Sequence, residues 1–439
     1  MMKNLVVTFV LIVALTQANE SPAQFSWRAL PNAPMRERGR HEDIFFANSK
    51  IGWIVNLLGE IYKTEDGGES WRLQWRTGIA AFRSVGFADS LNGWAGALRG
   101  FPLYKTNDGG GIWSEVQSLP RPLPGGICGI SVVNNSVVYG SGRYDGPPIV
   151  IKTTDGGASW KNIDLTPYAG TLVDCHFFSP DSGIVVGGSP GGSDLQTRKA
   201  VVLTTADGGM SWQTRYTTTR EGEWCWKISF PSHEVGFVSI ENLNRMTYCL
   251  KTTDRGLSWT EYFVSGSTSV QGIGFATETH GWIGAHGSLV FETIDGGITW
   301  QAASDNGAGF GENINRFHML SDTLGYAVGR TIYKYSRDQA TGIHTDDDFF
   351  KPESFELEQN YPNPFNPKTT IKFRLQKRGH VTLVIFDISG RQIERLVDKT
   401  MSPGSHQVEF DASEFTSGVY LYRLQMGKLG KIRKMTVVK

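Results

Sequence analysis

The chain has 439 residues with 43 basic and 43 acidic side chains, so it lacks the strong positive field that sequence-independent nucleic-acid binding requires. A hydrophobic fraction of 39%, with 12% aromatics and 52 glycines, excludes a disordered or collagenous chain and suits a turn-rich all-β fold. Four scattered cysteines, Cys128, Cys175, Cys225 and Cys249, are too few for a disulfide scaffold and read as buried thiols.

At the N-terminus Lys3 precedes the apolar run Leu5 to Leu15, and Ser21-Pro22-Ala23 supplies small residues where a signal peptidase reads. Residues 1–23 are therefore expected to be a signal peptide, with the mature chain starting at Gln24. The run is too short to span a bilayer, and no later stretch reaches about 18 apolar residues, so no transmembrane segment is expected in the mature chain.

From residue 24 the chain is repetitive. Thr-x-Asp-x-Gly-x-x-Trp occurs six times, from Thr64, Thr106, Thr153, Thr205, Thr252 and Thr293, with aspartates at 66, 108, 155, 207, 254 and 295. A period of about 40 to 50 residues signals a propeller-type array. Within each box the Asp is expected to brace a hairpin turn by accepting from amides a residue or two ahead, and a Gly supplies the positive φ. Arg255 replaces the first Gly in the fifth copy, so only the second, Gly256, is expected to be sterically required. Upstream of each box lie a strand, a turn, a Gly-aromatic strand such as Gly93-Trp94, and a third strand such as Glu60 to Lys63. Each unit thus reads as a four-stranded antiparallel blade. Cys225 and Cys249 fall on the first and third strands of one blade, too far apart to be bridged. Between the fourth and preceding boxes, Gly187 to Asp194 reads as a loop insertion.

After the sixth box, Ile314 to Tyr335 repeats three strands without the phrase. Ser26-Trp27-Arg28-Ala29-Leu30 resembles the missing fourth strand, so it is expected to pair beside 331–335 and close a seven-bladed ring over 24–336. Residues 337–354, with Asp346-Asp347-Asp348, read as a linker. Strand-like runs then follow at Thr370 to Leu375, Val381 to Ile388, Gln392 to Val397, His406 to Phe410, Val419 to Gln425 and Lys431 to Val438, which suggests a small β-sandwich over 355–439.

Two resemblances rest on these residues. Tyr361-Pro362-Asn363-Pro364-Phe365-Asn366-Pro367, Val384 to Arg391, Ser417-Gly418-Val419-Tyr420 and the terminal Lys434 to Lys439 resemble the C-terminal sorting domain, type A, of the type IX (Por) secretion system. That resemblance implies an immunoglobulin-like sandwich read by the outer-membrane translocon, a secreted or cell-surface destination, and a Gram-negative host of the Bacteroidetes and Chlorobi kind. The full blade, Gly-Trp followed by Ile-Tyr-Lys-Thr-x-Asp-Gly-Gly-x-Ser-Trp, resembles the repeat of photosystem II assembly and stability factor propellers. The box alone also occurs in sialidases, sortilin-type receptors and xyloglucan-hydrolysing enzymes.

The leading functional expectation is a noncatalytic platform for a protein or glycan, because polar residues near the inner strands vary from blade to blade and form no catalytic set. Its surface is placed at Arg36, Arg38, Arg40, Arg83, Trp224, Trp226, Lys227 and Arg316, since arginine and tryptophan are typical interface anchors. The other reading of the same residues has the tryptophans packed between blades and the arginines solvated or paired with Glu37 and Glu42. A glycoside hydrolase using Glu42, Asp174 and Glu223 is the alternative, and a structural surface-layer protein is the third class. The histidines show no metal-ligand spacing, so no metal and no cofactor are expected.

Overall fold

The computed structural model describes residues 25–337 and 355–439, apart from 144, 192–193, 267, 304–309, 376–377, 388–390 and 427–428. The signal-peptide expectation, and all of the linker but residue 337, lie outside the described residues. No helix among the described residues is long and apolar enough to cross a membrane. The chain divides into two compact units, 1–340 and 341–439.

The first unit is a seven-bladed β-propeller of four-stranded antiparallel sheets. The inner strands are His41–Phe46, Phe82–Phe87, Gly129–Val132, Thr171–Phe177, Glu223–Ser229, Val270–Phe275 and Arg316–Met319, for blades 1 to 7. They neighbour one another around a ring, the last against the first. Blade 7 takes its fourth strand from the other end of the unit. Phe25–Ala29 pairs antiparallel with Ile332–Arg337, Trp27 opposite Tyr335. Its indole is buried among Trp282, Phe310, Phe317 and Tyr335, so ring closure is also a packing event.

The repeated residues mostly join one blade to the next. Phe46, Phe87, Phe177 and Phe275, at the ends of inner strands, each stack on an aromatic of the preceding blade, with centroids 3.7, 3.6, 3.5 and 3.5 Å from Tyr326, Trp53, Tyr139 and Phe237. Glycine opposite each Phe is required by this packing: a Cβ on Gly93 would lie 2.3 Å from the Phe87 ring. The box Trp closes on the same Phe edge-on, as Trp71 does on Phe46 and Trp300 on Phe275. Such offset and edge contacts add about 0.5–1.5 kcal/mol per pair beyond area burial.

The box turn is wired differently from the expectation above. Asp66 Oδ1 accepts from the Ser70 amide, four residues ahead, and from the Thr64 hydroxyl. It is Thr64 Oγ1 that accepts from the Gly68 amide. Both glycine positions are left-handed: φ is 75° and 92° at Gly67 and Gly68, and 60° at Arg255. Arg255 therefore occupies a left-handed position that glycine favours, whereas a Cβ on Gly256 would meet Ile184 Cδ1 at 2.5 Å. The Gly187 to Asp194 loop also starts later than expected, because Gly187 and Gly188 end the strand Gly183–Gly188.

All four cysteines are buried, and none of them is in a disulfide. The second unit is a sandwich of a three-stranded sheet (Phe355–Leu357, Lys368–Leu375, Gly404–Asp411) and a four-stranded one (Gln392–Met401, Gly379–Asp387, Gly418–Met426, Leu429–Val437). The short strand Phe355–Leu357 was not anticipated. Their facing residues, including Ile371, Phe373, Leu383, Ile385, Tyr422 and Leu424, form one buried core.

Candidate functional site

The inner strands carry the chemistry of the propeller axis, and their register explains which side chains reach it. In five blades the inner strand has an irregular register, between His41 and Asp43, Phe82 and Ser84, Leu172 and Asp174, Cys225 and Ile228, and Val270 and Ile273. A bulge breaks the two-residue alternation and re-aims neighbouring side chains. Consecutive residues thereby form two stacked rings around the axis.

One ring is nearer the N-terminal, or leading, ends of the strands: Glu42, Arg83, Cys128, Val173, Trp226, Gln271 and Asn315. It is cross-linked, because Arg83 Nη1 donates to Glu42 Oε2 (2.6 Å) and Trp226 Nε1 to Asn315 Oδ1 (3.1 Å). Asn315 Nδ2 in turn donates to Glu42 Oε2 (3.3 Å). Arg40 Nε also donates to Glu42 (3.2 Å), and the Arg83 guanidinium lies 5.2 Å from the Trp226 ring. Burial works against ionisation of Glu42, but Arg83 and Arg40 more than offset it and hold the carboxyl below its usual range.

The next ring is Asp43, Ser84, Gly129, Asp174, Lys227, Gly272 and Arg316. Arg316 spans it, donating through Nε to Asp43 Oδ1 (2.8 Å) and through Nη1 and Nη2 to Asp174 (2.9 and 3.2 Å). Each aspartate also accepts an amide from the following blade, Val85 on Asp43 and Ile228 on Asp174. Glycine is required at 129, where a Cβ would lie 2.7 Å from Asp174 Oδ1. Asp174 stays below the usual carboxylate range because Arg316 and Lys227 outweigh its burial. Lys227 is fully buried, and its ammonium has no hydrogen-bond partner among the described residues. Burial and the nearby Arg316 push its pKa down to about 7.

Beyond this ring, toward the trailing ends of the strands, a cavity of ≈ 470 Å³ opens. Arg316, Asp43 and Asp174 form its floor, and Phe45, Ser131, His176, Ser229 and His318 its walls. Burial lowers both histidines to about 4, so they are neutral at physiological pH.

The residues expected to form an anchor surface divide into two groups. Arg38 is exposed, Arg36 is paired with Glu60 (3.0 Å) and Arg40 with Glu42, all at the leading ends. Arg83, Trp224, Trp226 and Lys227 are buried, at 2, 6, 5 and 0% exposure, and Arg316 is committed to two aspartates. These five are interior channel residues. The three carboxylates weighed for glycoside hydrolysis lie apart in role: Glu42 serves Arg83, Asp174 serves Arg316, and Glu223 accepts from Arg220 (2.6 Å) and Asn242 (2.6 Å). Among the described residues no group of three or more His, Cys, Asp or Glu side chains is placed to hold a metal ion. Asp43 and Asn315 were missed. Counting three and four residues back from each inner-strand position that faces the Gly of the next strand recovers the ring positions of six blades, while in blade 3 the corresponding Val132 faces Val138.

Residues 359–439 match the secretion system C-terminal sorting domain family (Por_Secre_tail), so the chain carries a domain that marks it for type IX export. No curated protein matches the chain. Among solved structures it is similar to YCF48 from Cyanidioschyzon merolae, at 18% identity and TM-score 0.54 over 71% of this chain and 98% of that one. A structure described as YCF48 bound to D1 peptide gives 19% identity and TM-score 0.54 over 72% and 95%. An ancestral GH74 enzyme gives 12% identity and TM-score 0.53, and the chain covers 64% of its length. At these identities the likeness is one of fold.

Proposed function

We propose that the protein is an exported, noncatalytic binding platform, secreted or held at the outer cell surface, whose propeller presents the leading-end face to a protein or glycan. The observation that carries this reading is the commitment of the channel carboxylates. Hydrolysis of a glycoside needs one carboxyl held protonated as general acid beside a second carboxylate. Glu42 and Asp174 are instead held below their usual range by arginines, and Glu223 Oε1 accepts from both Arg220 and Asn242. At Glu42 and Asp174 that arrangement disfavours proton donation to a leaving group.

The leading-end face offers Arg38, with Arg36 and Arg40 half-buried beside it and Met35 exposed at 65%. Arginine beside an exposed apolar side chain is interface composition. The export route we infer is a signal peptide over 1–23 followed by type IX translocation through 355–439. The mature propeller is expected to capture a defined ligand from surface extracts or a glycan array, to lose it on Arg38→Ala with Arg40→Ala, and to turn over no fluorogenic glycoside or xyloglucan. Turnover abolished by Glu42→Gln or Asp174→Asn would instead establish the hydrolase reading. A chain ending at Ser354 is expected to remain in the periplasm, and its appearance at the surface would remove the role given to the C-terminal domain.

A further inference from the structure

The cavity at the trailing ends of the inner strands lies at the opposite end of the channel from those arginines, and its chemistry is one-sided. Its floor acceptors are occupied. Asp43 Oδ1 takes the Ile44 amide and Arg316 Nε, Asp43 Oδ2 takes the Val85 amide, and both Asp174 oxygens take Arg316, Oδ2 with the Ile228 amide as well. Its donors are not. Arg316 has five N–H groups and uses three, which leaves one on each of Nη1 and Nη2. On the walls, Ser131 Oγ accepts from the Phe177 amide (2.9 Å) and Ser229 Oγ from the Phe275 amide (3.1 Å). Each hydroxyl keeps its own O–H, and neither donates it to another group among the described residues. The Lys227 ammonium lies behind the floor without a hydrogen-bond partner, its strongest charge interactions being with Arg316 and Asp174.

The rest of the lining is mostly apolar or aromatic, with Phe45, Val132, Ile130 and Phe230 and His176 stacked on Phe230 at 5.0 Å, while the exposed Ser321 and Asp322 also line it. A volume of ≈ 470 Å³ falls within the range of small-molecule sites. Donors at the base, spent floor acceptors and ring-lined walls select a ligand with an acceptor-only head and an apolar body.

We propose that this cavity binds a carboxylate carried on an apolar or aromatic group, the head on one free Nη–H of Arg316 and the hydroxyls of Ser131 and Ser229, the body against Phe45 and Phe230. A neutral sugar fits less well, because its hydroxyls donate as well as accept and the floor has no acceptor to offer. The source of such a head is either a free small acid or the C-terminal residue of a peptide. This site stands independently of the leading-end reading above.

The test is calorimetric titration of the mature two-domain protein with phenylacetate and with N-acetyl-Ala-Phe, each against its carboxamide. The acids are expected to bind at least tenfold more tightly than the amides. Binding of both acids points to a small-molecule source, and binding of the dipeptide alone to a chain terminus. Ser131→Ala with Ser229→Ala is expected to weaken binding about fivefold or more while the far-UV spectrum is kept, and Arg316→Lys to weaken it further if that variant folds. Equal binding of acid and amide, saturable binding of neutral sugars instead, no binding of either acid at millimolar concentration, or indifference to the serine pair would each overturn the proposal. Loss of surface-ligand capture on Arg38→Ala with Arg40→Ala leaves this titration unchanged, so the two readings fail separately.

Discussion

The box turns on the propeller's trailing face and the two rings on its axis are built from opposite materials. The boxes repeat almost letter for letter, are half-exposed, and spend their polar atoms on local backbone. The rings share no residue type across more than two blades, are buried, and spend their polar atoms on blades other than their own. Arg316 of blade 7 reaches Asp43 of blade 1 and Asp174 of blade 4, whereas Asp66 reaches only Thr64 and Ser70. Repetition in this chain therefore marks what six of the seven blades use, one by one, in order to fold. Variation marks where the seven blades act as one object.

The boxes still have a link outward, through lysine. Lys105 lies over Trp94 and donates to Gly156 O of the next box (2.8 Å), Lys152 lies over Tyr139 and donates to Gly208 O (2.9 Å), and Lys334 lies over Tyr326 and donates to Gly67 O (3.0 Å). Blade 6, whose neighbour has no box, carries Glu292 at this position, bonded to His280 and Trp282. Blade 4 carries Thr204 there, and its neighbour's box is the one with Arg255 in place of the first Gly. In blade 1 Lys63 pairs with Glu65 (2.8 Å) and Trp53 Nε1 takes Gly109 O, so the lysine staple is made in some blades and not in others.

The largest effect is expected on the axis. Arg316→Met leaves Asp43 and Asp174 buried without their guanidinium partner, and losing one partner of a buried pair costs about 3–5 kcal/mol. Urea unfolding of the mature propeller measures it. A loss under about 1 kcal/mol would mean that the rings tolerate disconnection as the boxes do, and the contrast between the two regions would collapse. Next comes the second box glycine. Gly256→Ala places a Cβ at φ 86° and 2.5 Å from Ile184, so about 1–2 kcal/mol of left-handed strain adds to the displacement of a packed side chain. Arg255→Gly, one residue earlier, is expected to change stability by less than about 1 kcal/mol in either direction. Equal effects at 255 and 256 would contradict the asymmetry.

Much of the scaffold is legible in the sequence because its constraints are local. Box spacing locates the blades, and Trp27 identifies the strand that closes the ring, since a Ser-Trp strand with no box before it has no other partner. The sandwich follows from alternation alone. The axis is less legible. Strict alternation sends Glu42 and Asp43 to opposite faces, and only the bulge between His41 and Asp43 brings both inward. Trp226 and Lys227 face the axis through a similar irregularity, which is why residues chosen as surface anchors lie inside. Asn315 carries no motif, and its role depends on a carboxylate 273 residues earlier.

A smaller effect tests the lysine staple. Lys105→Met keeps a flexible apolar stem over Trp94 but removes the donor to Gly156 O, with an expected loss of about 1 kcal/mol. Glu292→Lys in blade 6 is expected to bring no gain, because blade 7 has no box carbonyl to receive it. A stabilisation there, seen as a raised urea midpoint, would show that the lysine acts within its own blade.

The smallest effect, and the one that isolates the boxes from the rings, is on acid stability. The Ser211 hydroxyl and amide hold Asp207 down at about 2, and despite some burial the Thr299 hydroxyl and amide hold Asp295 at about 2. Depressed carboxyls of this kind contribute stability above their unfolded value of about 3.9, and that contribution disappears as pH falls through the folded value. The stability difference between the natural chain and Asp295→Asn is therefore expected to be constant above about pH 5 and to shrink as pH falls from about 4 to about 2, followed by urea unfolding at each pH. An acid-independent difference would mean that Asp295 braces its turn by shape alone. Arg316→Met gives the contrasting control, since Asp174 loses its guanidinium and is expected to become easier to protonate, which moves that variant's acid response to higher pH while the box variant's moves to lower.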